Sequence, residues 1–188
     1  MKYALVVIGA SLGGLRAMQT ILSALPADFR LPVALVQHRP QDAGDELAFV
    51  LRKHCALPLH EVEDKTAIGA GAVYIAPPGY HLLVDGDHFA LSTEAPVLWA
   101  RPSIDILFES AAEAFGPRLI GVTLTGTGQD GALGLTVVHR HGGMALVESP
   151  ETAHAKEMPQ AAIAMGRGKI QLELEAIGPY LVELSLKE

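Results

Sequence analysis

The chain is poor in cysteine, in charge and in long apolar runs. Among its 188 residues Cys55 is the one cysteine. No disulfide can form within the chain, and a lone thiol fits a reducing compartment. Charged residues make up 19% and hydrophobic ones 49%, which excludes extensive disorder. No apolar stretch approaches the roughly 18 residues of a membrane span, so no membrane insertion is expected. The net charge is −7 with no basic stripe, which argues against nucleic acid as a partner. Arg39 and Arg101 are left as cations able to guide an acidic partner. Lys2 and the apolar run that follows it faintly imitate a secretory leader. The run is short and feeds a helix, so it reads as a buried first strand, and a cytoplasmic location is expected. One domain over residues 1–188 is the simplest organisation, long enough to bury a core without staples.

What is present is an alternation of strand-like and helix-like segments, with no repeat, linker or low-complexity tract. The alternation predicts an α/β fold, a doubly wound and mostly parallel sheet with helices on both faces. Strands are predicted at Tyr3 to Ile8, Val33 to Gln37, Val73 to Ala76, Leu119 to Leu124, Met144 to Val147 and Lys169 to Leu174. Helix one places Leu15, Met18, Leu22 and Leu25 on one face and stops at Pro26. Further helices are predicted from about Gly44 to His54, after a Ser103 cap up to Gly116-Pro117, from about Asp130 to His141, from Met158 to Met165 and from Pro179 to Leu186. His81 to Val84 and His88 to Leu91 flank Asp85-Gly86-Asp87, which predicts an antiparallel β-hairpin excursion.

Three predicted strand ends carry chemistry. Gly9-Ala10-Ser11-Leu12-Gly13-Gly14 follows the first strand. This is the pattern of a nucleophile elbow, in which a tight strand-to-helix turn presents a serine hydroxyl beside free helix amides. A glycine-rich turn with a serine cap is the alternative. His38 follows the second strand, where it is either a general base or a loop histidine bonded to a carbonyl. Asp130 lies in Thr125-Gly126-Thr127-Gly128-Gln129-Asp130-Gly131. There it caps a helix, orients the imidazole of a Ser–His–Asp triad, or fills both roles. Asp105 is the rival carboxylate, although its place in a helical first turn is explained by the dipole. Open α/β sheets gather such residues beyond the strand carboxyl ends. The order Ser–His–Asp is not that of α/β-hydrolases. His139 and His141 suit a helix C-terminus. His54, Cys55 and His60 match no standard metal spacing, so no metal is expected. His81 reads as a hairpin residue within reach of the cleft.

A second motif competes. Gly126 to Gly131 is formally G-x-G-x-x-G between a strand and a helix, with Glu148 22 residues after Gly126. This is the fingerprint of a nicotinamide-dinucleotide-binding module or dehydrogenase. Asp130 counts against it, because a carboxylate repels a pyrophosphate.

The ordered segments resemble the catalytic domain of the chemotaxis protein-glutamate methylesterases, the CheB family. The segments are Val7 to Gly14, Val36-Gln37-His38, Val73 to Gly79 with His81, Arg101 to Phe108, Leu124 to Ala132, and Met158-Pro159 with Ala162-Ile163. They run in the family's order from residue 5 to about 168. The resemblance implies a hydrolase that uses no cofactor and cleaves γ-glutamyl methyl esters on the cytoplasmic helices of chemoreceptors, releasing methanol. Some members also deamidate receptor glutamines. It implies Ser11 as nucleophile, His38 as base and Asp130 as orienting carboxylate, with oxyanion donors at the backbone amides of Leu12 and Thr127. Three positions depart from the family pattern. Leu12 and Thr127 stand where threonine and methionine are common, and Glu157 where glycine precedes Met-Pro. The family's N-terminal receiver domain has no counterpart here, which implies constitutive activity, a separate regulatory receiver protein, or a chain cut from a longer one. A non-catalytic sensory module of the same fold is the third reading.

Overall fold

The computed structural model describes residues 2–165 and 170–187. Seven strands form one parallel sheet: β1 (Leu5–Ala10), β2 (Val33–Gln37), β3 (Leu59–Glu61), β4 (Val73–Ile75), β7 (Leu119–Thr123), β8 (Met144–Glu148) and β9 (Ile170–Leu172). Their order across the sheet is β3-β4-β2-β1-β7-β8-β9. The first strand is therefore central and buried along its length. The remaining two strands, β5 (His81–Asp85) and β6 (His88–Ser92), form the antiparallel hairpin.

Alternation along β1 divides the core. Val6, Ile8 and Ala10 face a cluster shared with α1 (Gly14–Ser23), α2 (Glu46–Arg52) and α6 (Leu174–Ser185). Leu5 and Val7 face the other cluster, with α3 (Ile104–Phe115), α4 (Ala132–Arg140), α5 (Glu157–Ala164) and the hairpin. Such two-sided burial is what a parallel sheet requires of its strands. The chain winds from β1 through β2 to one edge, then returns to lay β7 on the other side of β1. That reversal makes the carboxyl ends of β1, β2 and β7 a topological switch point, where ligands collect in open α/β sheets.

Several expectations shift. The first strand runs Leu5–Ala10 rather than Tyr3 to Ile8. Leu15 is exposed, because α1 begins only at Gly14 and turns that residue outward. The short edge strand β3 escaped sequence reading, since three residues reading Leu-His-Glu after a proline carry no period. The last helix starts at Leu174, not Pro179, so the proline lies inside it. The Leu174 N–H is met by Thr152 Oγ1 (3.2 Å), a partner distant in sequence. The expected strand Lys169 to Leu174 is seen as Ile170–Leu172, and Lys169 lies outside the described residues.

Candidate active site

Ser11, His38 and Asp130 follow β1, β2 and β7, and the backbone zips their loops together. The His38 N–H reaches Ala10 O (3.0 Å) and the Ser11 N–H reaches Thr125 O (2.9 Å), each prolonging a strand ladder by one bond. Gln37 Nε2 donates to Ser11 O (2.8 Å) and His38 O (3.0 Å). Thr125 Oγ1 donates to Leu12 O (2.9 Å). With their carbonyls held, the peptide planes of the Ser11 turn are fixed, because C=O and N–H point oppositely across a trans peptide. Among the described residues the N–H groups of Leu12 and Thr127 have no acceptor.

Asp130 is buried and takes more donors than a carboxylate usually does. His38 Nε2 lies 2.7 Å from its Oδ2, and the Ile104 N–H is also at 2.7 Å. Its Oδ1 accepts from Ser103 Oγ (2.9 Å), Asp105 N–H (3.0 Å) and Gly131 N–H (3.0 Å). Burial alone would raise its pKa. The His38 hydrogen bond and the Ile104 and Asp105 amides outweigh burial and hold it below the ordinary carboxylate value. An ionised Asp130 only accepts, so His38 carries its proton on Nε2 and leaves Nδ1 as the free base. No hydrogen bond joins Ser11 Oγ to the imidazole, but both residues line the same two cavities. Catalytic contacts of this kind often close only around substrate.

Asp130 caps the wrong helix from the viewpoint of sequence. It was expected to cap the helix that begins beside it, yet it caps α3 through Ile104 and Asp105. Asp105 returns the contact. Its Oδ1 accepts from Gly131 N–H (2.9 Å) and Gly134 N–H (2.7 Å) at the start of α4. Burial, offset by the Gly134 amide and reinforced by the Asp130 charge, pushes the Asp105 pKa up to about 7. Asp105 therefore does more than complement a dipole. Ser103, expected to cap α3, donates to Asp130 instead. His81 is buried behind it: its Nδ1 accepts from Ser103 N–H (3.2 Å) and its Nε2 meets Ala95 O (3.1 Å). Ser103, Gln37 and Thr125 are the site residues that sequence reasoning missed. Their signals were adjacency to His38 and a place at strand or helix ends.

Arg39 and Arg101 are anchored by internal acceptors and both line the second of the two cavities. Arg39 pairs with Glu61 (2.9 Å) and donates to Ala76 O and Gly44 O. Arg101 donates to Thr93 O and Glu94 O. The Gly126–Gly131 loop is not a free pyrophosphate cradle. The Gly126 N–H bonds Ala155 O, the Gly131 and Gly134 amides bond Asp105, and Asp130 occupies the turn. Glu148 is fully buried and accepts from the Thr125 N–H (2.7 Å).

The CheB methylesterase family model matches residues 6–181. The chain belongs to the CheB methylesterase family. A Leptospira interrogans chain with the provisional name of protein-glutamate methylesterase/protein-glutamine glutaminase is 43% identical over 185 residues, covering 98% of this chain and 96% of that one. Protein-glutamate methylesterase FrzG of Myxococcus xanthus is 40% identical over 182 residues, covering 96% of this chain and 54% of FrzG. The chain thus spans nearly all of the first relative and about half of the second. The crystal structure of the Thermotoga maritima CheB methylesterase catalytic domain superposes with a TM-score of 0.91 at 34% identity, covering 98% of this chain and all of that one. The doubly wound fold expected from the CheB resemblance is the fold observed, hairpin included. No helix among the described residues is long and apolar enough to cross a membrane.

Proposed function

We propose that this CheB-family chain is a serine esterase that hydrolyses γ-glutamyl methyl esters on chemoreceptor helices. The observation that carries the reading is the 2.7 Å bond from His38 to a five-donor Asp130, with Ser11 opening onto the same cavities. Ser11 Oγ attacks the ester carbonyl carbon as His38 Nδ1 takes its proton. The charge that develops on the carbonyl oxygen is met by the Leu12 and Thr127 amides. Collapse breaks the carbon–oxygen bond to the methoxy group, which leaves as methanol with the proton from His38. Water, deprotonated by the same nitrogen, then attacks the acyl-serine and releases the glutamate carboxylate and Ser11. Asp130 stays ionised and stabilises the imidazolium in both halves. A glutamine side chain follows the same course with ammonia as leaving group.

The product is an anion formed beside Asp130 in a chain of net charge −7, and like charges favour its departure. Methanol release from receptor membranes carrying labelled methyl-glutamates tests the reading. Release by the unsubstituted chain, abolished by Ser11→Ala, is the expected result. Equal release by both chains overturns the nucleophile. No release from a folded chain favours the non-catalytic sensory module.

A further inference from the structure

Residues 93–101 form a loop over the cleft, and its tip breaks a rule of turn chemistry. The Val97 N–H bonds Ala100 O (3.1 Å) and the Ala100 N–H bonds Val97 O (2.8 Å), closing a turn over Leu98 and Trp99. Both central residues have positive φ, 47° and 67°. A turn of this kind calls for Asn-Gly or a similar pair. Leu and Trp are unfavourable there, since their Cβ atoms resist the left-handed region. Their exposure adds to the cost: Trp99 is fully exposed and Leu98 is 48% exposed. The base of the loop is nonetheless anchored, by Arg101 on Thr93 O and Glu94 O and by His81 on Ala95 O. Strain held by an anchored surround is the mark of a functional segment.

Position supplies the second observation. Leu98 and Trp99 line a cavity of about 780 Å³ together with Ser11 and His38. The other cavity that opens on Ser11 and His38, about 870 Å³, is bordered by Leu12 and Leu15, which are 54% and 41% exposed. Apolar side chains therefore border the serine in both cavities. Arg39 and Arg101 also line the first of these cavities, each anchored by internal acceptors, so the apolar side chains sit beside fixed charges.

We propose that the Leu98-Trp99 turn is a docking element for the protein substrate, receiving apolar side chains that flank the esterified glutamate on its helix. The proposal rests on the esterase reading above. An esterified glutamate is neutral, and on a helix its neighbours three and four residues away share its face. Such a face matches an apolar rim with an aromatic anchor, the residue type that dominates binding energy at protein interfaces.

Trp99 is the only tryptophan of the chain, so its fluorescence reports docking directly. The probe is a tryptophan-free helical peptide with one γ-methyl glutamate flanked by leucines three and four residues away. Titrated up to the millimolar range into the Ser11→Ala chain, it should move Trp99 emission to shorter wavelength and protect it from iodide. This readout does not depend on turnover, so an emission shift here, with no methanol release from the same peptide by the unsubstituted chain, removes the esterase reading and leaves the docking one. The double substitution Leu98→Asn, Trp99→Gly supplies the residues the turn prefers. It should keep or raise the thermal midpoint while KM for the peptide rises about tenfold and kcat is unchanged. Trp99→Ala should raise KM in the same direction. A merely structural turn predicts an unchanged or lower KM for the Asn-Gly pair. An unchanged KM, an unmoved emission, or the same emission shift with peptide-free phosphatidylcholine vesicles overturns the proposal.

Discussion

Two glycine-rich turns lead from central strands into helices, one after β1 and one after β7. Both end in a glycine at the N-cap with positive φ, 85° at Gly13 and 90° at Gly131, and neither uses a side chain of its own as cap. Around them the chemistry is opposite. No acidic side chain stands in the first turn of α1, and the Leu12 amide has no acceptor among the described residues. At the start of α4 the Gly131 and Gly134 amides are taken by Asp105, while Asp130 reaches over to α3. The helix terminus after β1 carries no carboxylate; the one after β7 is filled by a carboxylate that locks its neighbour in place. A glycine pattern therefore does not by itself mark an anion site. What marks it is whether the amides already have acceptors.

The largest effect should come from the open turn. Ser11→Ala removes the proposed nucleophile and no buried contact, so methanol release should fall by at least about four orders of magnitude with the thermal midpoint unchanged. Asp130→Ala, in the filled turn, should cost about three to four orders of magnitude in kcat. Unlike Ser11→Ala it should also destabilise the fold, by about 1–3 kcal/mol in urea unfolding, because it strips the acceptor from the Ile104 and Asp105 amides and from Ser103. Equal stability of the two variants would erase the contrast between the turns.

A smaller effect should follow from the point where the two turns touch. A Cβ on Gly126 would run into Met158 Sδ and lie 2.8 Å from Ser11 Cβ. Gly126→Ala should thus push Ser11 out of line and lower kcat about a hundredfold. An unchanged kcat would mean that Ser11 needs no support from the second turn.

The gentlest test is the pH dependence of stability. Asp105 has a folded pKa of about 7 against an ordinary value of 3.8. Between those values the folded chain holds a proton that the unfolded chain has released. Its contribution to stability therefore falls as pH rises from about 4 to about 7, and is flat above. Asp130 acts in the opposite sense: its lowered pKa favours the fold above the ordinary carboxylate range and is lost on acidification. Asp105→Asn keeps an oxygen for the α4 amides and cannot ionise. Unfolding midpoints measured across that range should lose the downward slope. A slope that survives the substitution would assign it to another group.

The sequence made the architecture legible because a parallel sheet buries both faces of its strands and writes them as apolar runs. It also placed Ser11, His38 and Asp130 at three strand ends, which the structure brings to one cleft. Partners supplied from elsewhere in the chain were not legible. Nothing local says that Asp130 serves α3 rather than α4, that Asp105 completes the exchange, or that Ser103 turns away from its own helix. Arg39 and Arg101 looked free for the same reason. Their acceptors are mostly backbone carbonyls, which carry no sequence signal. The Leu98-Trp99 turn went unread because its residues contradict the conformation they adopt.

The central claim is that the open turn presents Ser11 as an activated nucleophile. A fluorophosphonate that modifies activated serines measures this directly, with the adduct located by mass spectrometry of tryptic fragments. Tyr3–Arg16 is one such fragment, and Ser11 is its only serine. One adduct per chain on that fragment, with methanol release falling in step with its formation, is the predicted result. Methanol release from a chain that takes no adduct there, or takes it elsewhere, would contradict the account.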